Sequence, residues 1–253
     1  MAGDFLFCAT IILMKDKLIF LDTETTGNDL EKDRLMQVCY KIDDKLTVKN
    51  FKPPVPISVK AMSITNITNK MVENEEPFVG SETSKELNDL LKENILVAHN
   101  AKFDIAMLNN EGLNVPQYIC TLRLARYLDE KQEIPEYNLQ FLRYYYDVDL
   151  ENIVAHSADG DVKVLEAVFG HLYKIAKAKA PDTDYEVIIK RMVDISSKPS
   201  IIKKFVFGKH NGSHVEDVAK IDAGYLEWLL KQKEIEGTDE DWIYTLKFYL
   251  NKI

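Results

Sequence analysis

The chain has 253 residues, 46% hydrophobic and 29% charged, with 10 Gly and 8 Pro. That composition suits a soluble globular protein of one large domain plus a small one, and excludes disordered and collagen-like chains. The formal net charge of −9 argues against a sheath-like nucleic-acid binder but not against an enzyme that grips a few phosphates through metal ions.

The apolar run Phe5–Met14 is about half of what a membrane span needs, and it lacks the basic lead and small-residue cleavage site of a signal peptide. Met14-Lys-Asp-Lys reads as a second translation start, so residues 1–13 are expected to be an extension outside the fold. Cys8, Cys39 and Cys120 are odd in number and widely spaced, which excludes a disulfide framework and a zinc ribbon and fits a reducing, cytoplasmic setting.

Leu18–Leu21 is a continuous apolar run of strand length and reads as a buried central strand. Residues 35–41 and 46–52 alternate as two further strands joined at Asp43-Asp44, and Pro53, Pro54 and Pro56 then end sheet pairing. Ser81–Lys92 is amphipathic with helical spacing. Ile95–Ala98 is a short strand, and a helix over 102–110 follows, closed by Gly112. Further helices are expected over 121–128, 138–146, 160–179 and 183–194. Strands followed by strand–helix alternation indicate an α/β or α+β sheet with helices packed on it.

Ser196-Ser-Lys-Pro-Ser200 reads as a linker between a domain over 14–195 and a small module over 201–253. The module is expected to hold a strand at Ile201–Phe207, a turn at 208–212 and two helices, with Asp222 capping the first. The second is expected to start at Thr238, with Asp241 completing a capping box. In the module Tyr225, Trp228 and Leu229 read as core. Residues 196–253 carry nine Lys and nine acidic residues, so the whole net charge sits in residues 1–195.

Asp22 and Glu24, two apart on an extended chain, project together from the end of a buried strand. Asp104 shares a helix face with Met107 and Leu108, and Asp161 lies in the apolar stripe of Leu165, Val168 and Leu172. A buried carboxylate needs a partner, either a basic side chain, a helix N-terminus or a cation. His156 precedes Asp161 by five residues, which sets it in the preceding loop. Oxygen ligands without Cys or paired His suit Mg²⁺ or Mn²⁺. Two such ions can clamp the attacking and leaving oxygens of a phosphodiester, and a neutral histidine can take the proton of the attacking water.

Phe20-Leu-Asp-Thr-Glu-Thr-Thr-Gly27, His99-Asn-Ala-Lys-Phe-Asp104 and His156-Ser-Ala-Asp-Gly-Asp161 resemble, in order and spacing, the three motifs of the DEDDh family of 3′→5′ exonucleases. That family includes the proofreading epsilon subunit of bacterial DNA polymerase III, RNase T and exonuclease X. Thr121-Leu-Arg-Leu-Ala-Arg126 and Tyr137-Asn-Leu-Gln-Phe-Leu142 are similar to the segments between its second and third motifs. The resemblance covers about residues 18–177. It implies an RNase H-like fold, a mixed five-stranded sheet flanked by helices, here with a small α+β C-terminal module. It also implies two divalent ions (Mg²⁺ or Mn²⁺) on Asp22, Glu24, Asp104 and Asp161, His156 as general base, and main chain around Thr25 and Thr26 near the terminal 3′-OH. The products would be 5′-mononucleotides.

Two positions depart from the pattern: Asn28 stands where a Leu is frequent, and Asn66 where a Gly is frequent. Phe207-Gly-Lys-His-Asn-Gly212 with Gly224-Tyr-Leu-Glu-Trp-Leu-Leu230 resembles the C-terminal module of exonuclease X-like proteins, and Lys203, Lys204, Lys209 and His210 become candidate phosphate contacts. The expected activity is metal-dependent 3′→5′ degradation of single-stranded or frayed DNA. The alternatives are an exoribonuclease trimming RNA ends, and a proofreading or binding subunit active only when docked on a polymerase or repair partner.

Overall fold

The computed structural model describes residues 18–131, 133–148, 150, 158–237 and 239–253. The expected N-terminal extension and His156 lie outside them. A five-stranded sheet has the order β3-β2-β1-β4-β5. The strands are β1 (Leu18–Thr25), β2 (Leu35–Ile42), β3 (Lys45–Asn50), β4 (Ile95–Ala98) and β5 (Tyr118–Cys120). β2 runs antiparallel to β1 and β3, and β4 runs parallel to β1 and β5. Asp43 makes the tight β2–β3 turn with φ 52°, in the left-handed region that a short polar side chain tolerates.

Alternation along β1 sends Leu18 and Phe20 into one core layer and Ile19 and Leu21 into the other. The first layer is closed by α5 (Thr121–Leu128), α6 (Leu139–Tyr145), α7 (Ala158–Lys179) and α8 (Tyr185–Ser197). The second is closed by α3 (Glu82–Glu93) and α4 (Lys102–Asn110). Ser81 caps α3 by accepting from the Ser84 amide, and Gly112, at φ 86°, turns the chain after α4. α1 (Val59–Thr65) and α2 (Asn69–Val72) form a small layer with Met36. Asn66 is the left-handed cap of α1 at φ 58°, so asparagine fills there the conformational role that glycine usually takes. Among the described residues no helix is long and apolar enough to cross a membrane, and Cys39 and Cys120 are buried free thiols.

The C-terminal part departs from expectation in five places. Residues 196–200 are not a free linker. Ser196 and Ser197 end α8, and buried Ser196 accepts from the Cys120 amide at 2.8 Å. The strand over 201–207 is reduced to a single antiparallel bridge, Lys204 to His214. Three helices follow, not two: α9 (Val215–Ile221), α10 (Ala223–Glu236) and α11 (Glu240–Tyr249). Asp222 caps α10 as expected, by accepting from the Tyr225 amide. Asp239, in contrast, caps α11, and Asp241 is engaged elsewhere, so the capping box does not form; Thr238 lies outside the described residues. The module's core is Phe205, Val215, Val218, Leu226, Leu229, Leu230, Trp242 and Leu246. Trp228 is 54% exposed and not part of it.

The module is bolted to the sheet domain. Arg123 of α5, its side chain 5% exposed, donates to Glu240 and Asp241 at 2.9 and 2.8 Å and to the Ser196 carbonyl at 2.9 Å. Arg126 adds a 2.8 Å pair with Asp241, whose carboxylate also accepts from the Ser200 amide and hydroxyl.

Candidate active site

β1 outruns its parallel neighbour. β4 pairs with it only from Leu18 to Phe20, while β2 pairs with it as far as Thr25. The overhanging end carries Asp22 and Glu24 on the face of Leu18 and Phe20, the face covered by α7. Asp161 lies in the first turn of α7, and Asp104 in the first turn of α4 on the opposite face. The four carboxylates thus meet around one strand end, each carried by an element that the core fixes.

Asp104 is 4% exposed, and its Oδ1 accepts from the Thr23 amide at 3.1 Å and the Thr23 hydroxyl at 2.8 Å. Those bonds favour its charged form, but burial outweighs them and raises its pKa to about 7. Burial, then the charges of Asp161 and Asp104, brings Glu24 to about 7. Asp22 is pushed well above the ordinary carboxylate range by burial first and then by Asp104, Glu24 and Asp161. Among the described residues no Lys or Arg pairs with Asp22, Glu24 or Asp104. The negative charge is therefore left for protons or for a cation to balance. Oxygen-only donors of this kind fit Mg²⁺ or Mn²⁺. Among the described residues no three His, Cys, Asp or Glu side chains already stand as a metal-holding group.

Asp161 has a further partner that the motifs did not single out. Gln140 of α6 donates from Nε2 to Asp161 Oδ1 at 2.6 Å. A carboxylate only accepts, so the amide NH₂ must face it and Gln140 Oε1 points away. That oxygen is buried and has no hydrogen-bond partner among the described residues. Gln140 lies within the segment Tyr137–Leu142, but its partner is 21 residues away on another helix, beyond the reach of spacing arguments.

The corner after β1 is rigid. Thr25 donates its hydroxyl to the Gly27 carbonyl at 2.7 Å, and Thr26, fully buried, donates its own to Asp33 at 2.8 Å. The Thr26 amide and carbonyl bond Arg34 and Ser58. Gly27 is needed because a Cβ there would collide with the Asp33 carboxylate. His99 is a structural latch: Nδ1 lies 2.9 Å from the Thr121 hydroxyl, and burial lowers its pKa to about 4, which keeps it neutral. Of the candidate phosphate contacts, Lys209 and His210 both pair with Asp222, at 2.6 and 3.0 Å. Lys203 and Lys204 instead line a cleft of about 990 Å³ between the module and the sheet domain.

The carboxylate cluster lies at the overhanging end of a central strand, and the comparisons give the class of protein to which this fold belongs. Residues 19–169 match the exonuclease family, and the chain belongs to it; it is an exonuclease. Residues 205–234 match the exodeoxyribonuclease X-like C-terminal family. Exodeoxyribonuclease 10 of Escherichia coli K12 is 30% identical over 200 residues, which cover 79% of this chain and 82% of that protein. The PolC-type DNA polymerase III of Caldanaerobacter subterraneus subsp. tengcongensis is 29% identical over 199 residues, 74% of this chain but 14% of the polymerase. A solved exonuclease X in complex with 5′ overhanging duplex DNA superposes with a TM-score of 0.54 at 25% identity, covering 71% of this chain and 99% of that one. The zinc-bound E. coli exonuclease I–ssDNA complex shares the fold, with a TM-score of 0.54 at 18% identity over 69% of this chain and 42% of that one.

Proposed function

We propose that this chain is a divalent-metal-dependent 3′→5′ exodeoxyribonuclease that removes 5′-mononucleotides from single-stranded or frayed DNA ends. The observation that carries the reading is the set of mutually repelling carboxylates at one strand end, the buried Asp104 with the half-buried Asp22, Glu24 and Asp161, in a chain of the exonuclease family. These four would hold two Mg²⁺ or Mn²⁺ ions. Bound there, such ions polarise the phosphoryl oxygens and lower the pKa of the attacking water. His156, assigned from its motif, takes the proton of that water. As the water oxygen bonds to phosphorus, the bond from phosphorus to the 3′ oxygen breaks, and the shortened strand keeps a 3′-OH. The Thr25–Thr26 corner forms a fixed wall for the terminal nucleotide, and Thr23 holds Asp104 in line. Lys203 and Lys204 are assigned to the strand and Lys209 is not, because Asp222 already neutralises it.

The test is a degradation time course on matched 5′-labelled single-stranded DNA and RNA, with Mg²⁺ or Mn²⁺ and with EDTA. The expected result is a metal-dependent ladder shortening from the 3′ end, faster on DNA. Faster RNA degradation would select the exoribonuclease. Activity that appears only with an added polymerase would select the docked subunit, a reading that the similarity to PolC-type polymerases favours.

Gln140→Leu tests the support of Asp161. It is expected to weaken Mn²⁺ binding by about 10-fold or more, as loss of a bond to a metal ligand commonly does. The unfolding temperature in EDTA should hardly change, because the variant also removes a buried unpartnered oxygen. Calorimetric Mn²⁺ titration beside thermal unfolding in EDTA separates the two effects, and unchanged Mn²⁺ affinity would count against this role.

A further inference from the structure

We infer that the cleft between the sheet domain and the C-terminal module is the track for the nucleotides that precede the scissile 3′ end. This rests on the exodeoxyribonuclease reading above and adds to it where the strand runs. The cleft, about 990 Å³, lies at the upper end of the size of ligand clefts. One of its walls begins at His99 and Asn100, directly after β4. Continuing the β1–β4 register two steps past the last paired residues, Phe20 and Val97, sets His99 beside Asp22. Another wall ends at Tyr137 and Asn138, and Asn138 is the N-cap of α6, the helix that hands Gln140 to Asp161. Two walls of the cleft therefore lead within a few residues to the carboxylates.

The charge left in the cleft suits a phosphate backbone. Asp241 is neutralised by Arg123 and Arg126, and Asp239 is occupied by Lys233 and by capping α11. Among the lining residues Glu136 then faces Lys203 and Lys204, and the carboxylates of Asp129 and Glu130 stand near Lys203, so Lys204 is the lysine left most to the strand. Lys203 donates to the Asp129 carbonyl at 3.0 Å, which fixes its ammonium at the wall with donors to spare. The Lys204 ammonium has no hydrogen-bond or ionic partner among the described residues. Tyr137 adds an aromatic surface, held by its hydroxyl bond to Asp129 at 2.7 Å. A lysine-lined groove with a fixed aromatic ring is what single strands bind without sequence preference. The Arg–Asp241 bolt keeps the groove at constant width.

The test uses the full chain in EDTA with 5′-labelled oligo(dT) of two to eight nucleotides, titrated at several salt concentrations. Lys204→Glu is compared with Lys231→Glu, which makes the same charge change on an exposed face of α10. Lys204→Glu is expected to weaken binding of the octamer by about 10-fold and to lower the slope of log affinity against log salt by about 0.7 for each phosphate that the variant no longer neutralises. Lys231→Glu should change neither. An unaltered octamer affinity and slope in Lys204→Glu, or equal losses in both variants, would overturn the track. A wild-type chain that neither binds nor degrades DNA would sink the exodeoxyribonuclease reading itself, whereas one that degrades DNA with Lys204→Glu unaffected would sink the track alone.

Discussion

Asp104→Asn is expected to lower nuclease activity by about 10³-fold or more, because the proposed metal set would lose a ligand worth several kcal/mol, while making the metal-free protein more stable. Asparagine keeps the Oδ1 that accepts both Thr23 bonds, so the fold retains its contacts. It removes a charge that burial disfavours. The sign follows from linkage. The pKa of Asp104 is about 7 in the fold and about 3.9 in the unfolded chain, so the fold prefers the protonated form. The penalty is absent below the unfolded pKa, grows as pH rises, and is complete above about 7. At pH 8 the variant should gain about 2–4 kcal/mol in EDTA, and more than half of that gain should vanish by pH 5. Thermal unfolding in EDTA at the two pH values, beside cleavage assays at saturating Mn²⁺, checks both halves. A variant that still cuts DNA at the wild-type rate would remove Asp104 from the metal set, and one that is less stable at pH 8 would mean that burial does not penalise its charge.

Asp241→Ala is expected to cost about 3–5 kcal/mol, the usual result of removing one partner from a buried ion pair. It leaves Arg123 with Glu240 and the Ser196 carbonyl, leaves Arg126 with the Ser200 hydroxyl, and strips the Ser200 amide and hydroxyl of their acceptor. The damage should be directional. Contacts inside the sheet domain are untouched, so the module should loosen first. Limited trypsin digestion should then cut at Lys203 or Lys204 well before the sheet domain is attacked, while urea unfolding reads the energy. A loss below about 1 kcal/mol with an unchanged digestion pattern would mean that the apolar contacts alone hold the module.

Both expectations depend on how far the sequence could be read. The carboxylates were legible because each breaks a pattern: Asp22 and Glu24 end an apolar strand, and Asp161 interrupts an apolar stripe. α5 and α7 were legible because their spacing is long and clean. The misses share a physical cause. β5 has three residues, too short for periodicity to register, and α9 has only Val215 and Val218 buried to set a period. α1 follows closely on three prolines, which drew attention to the end of the sheet and not to the Ser58 cap. Ser196-Ser-Lys-Pro-Ser200 has the composition of a linker, and only the Arg123 and Asp241 contacts turn it into a seam. Gln140 is an ordinary helix residue by composition, and its value comes from a helix packed across from its own.

The short β4 has one more consequence. Where it stops, the open flank of β1 would expose ladder hydrogen bonds, and the Thr23 amide is taken up by the Asp104 carboxylate in place of a fifth strand residue. A side chain therefore closes the sheet at the point where the chemistry is assigned. The Thr23 amide proton becomes a built-in gauge: its chemical shift and its exchange with solvent deuterium read whether Asp104 is protonated, charged or drawn toward a cation. Extending β4 by two residues would complete the sheet and occupy the seat of the carboxylate, so in this fold a finished sheet and a working site exclude each other.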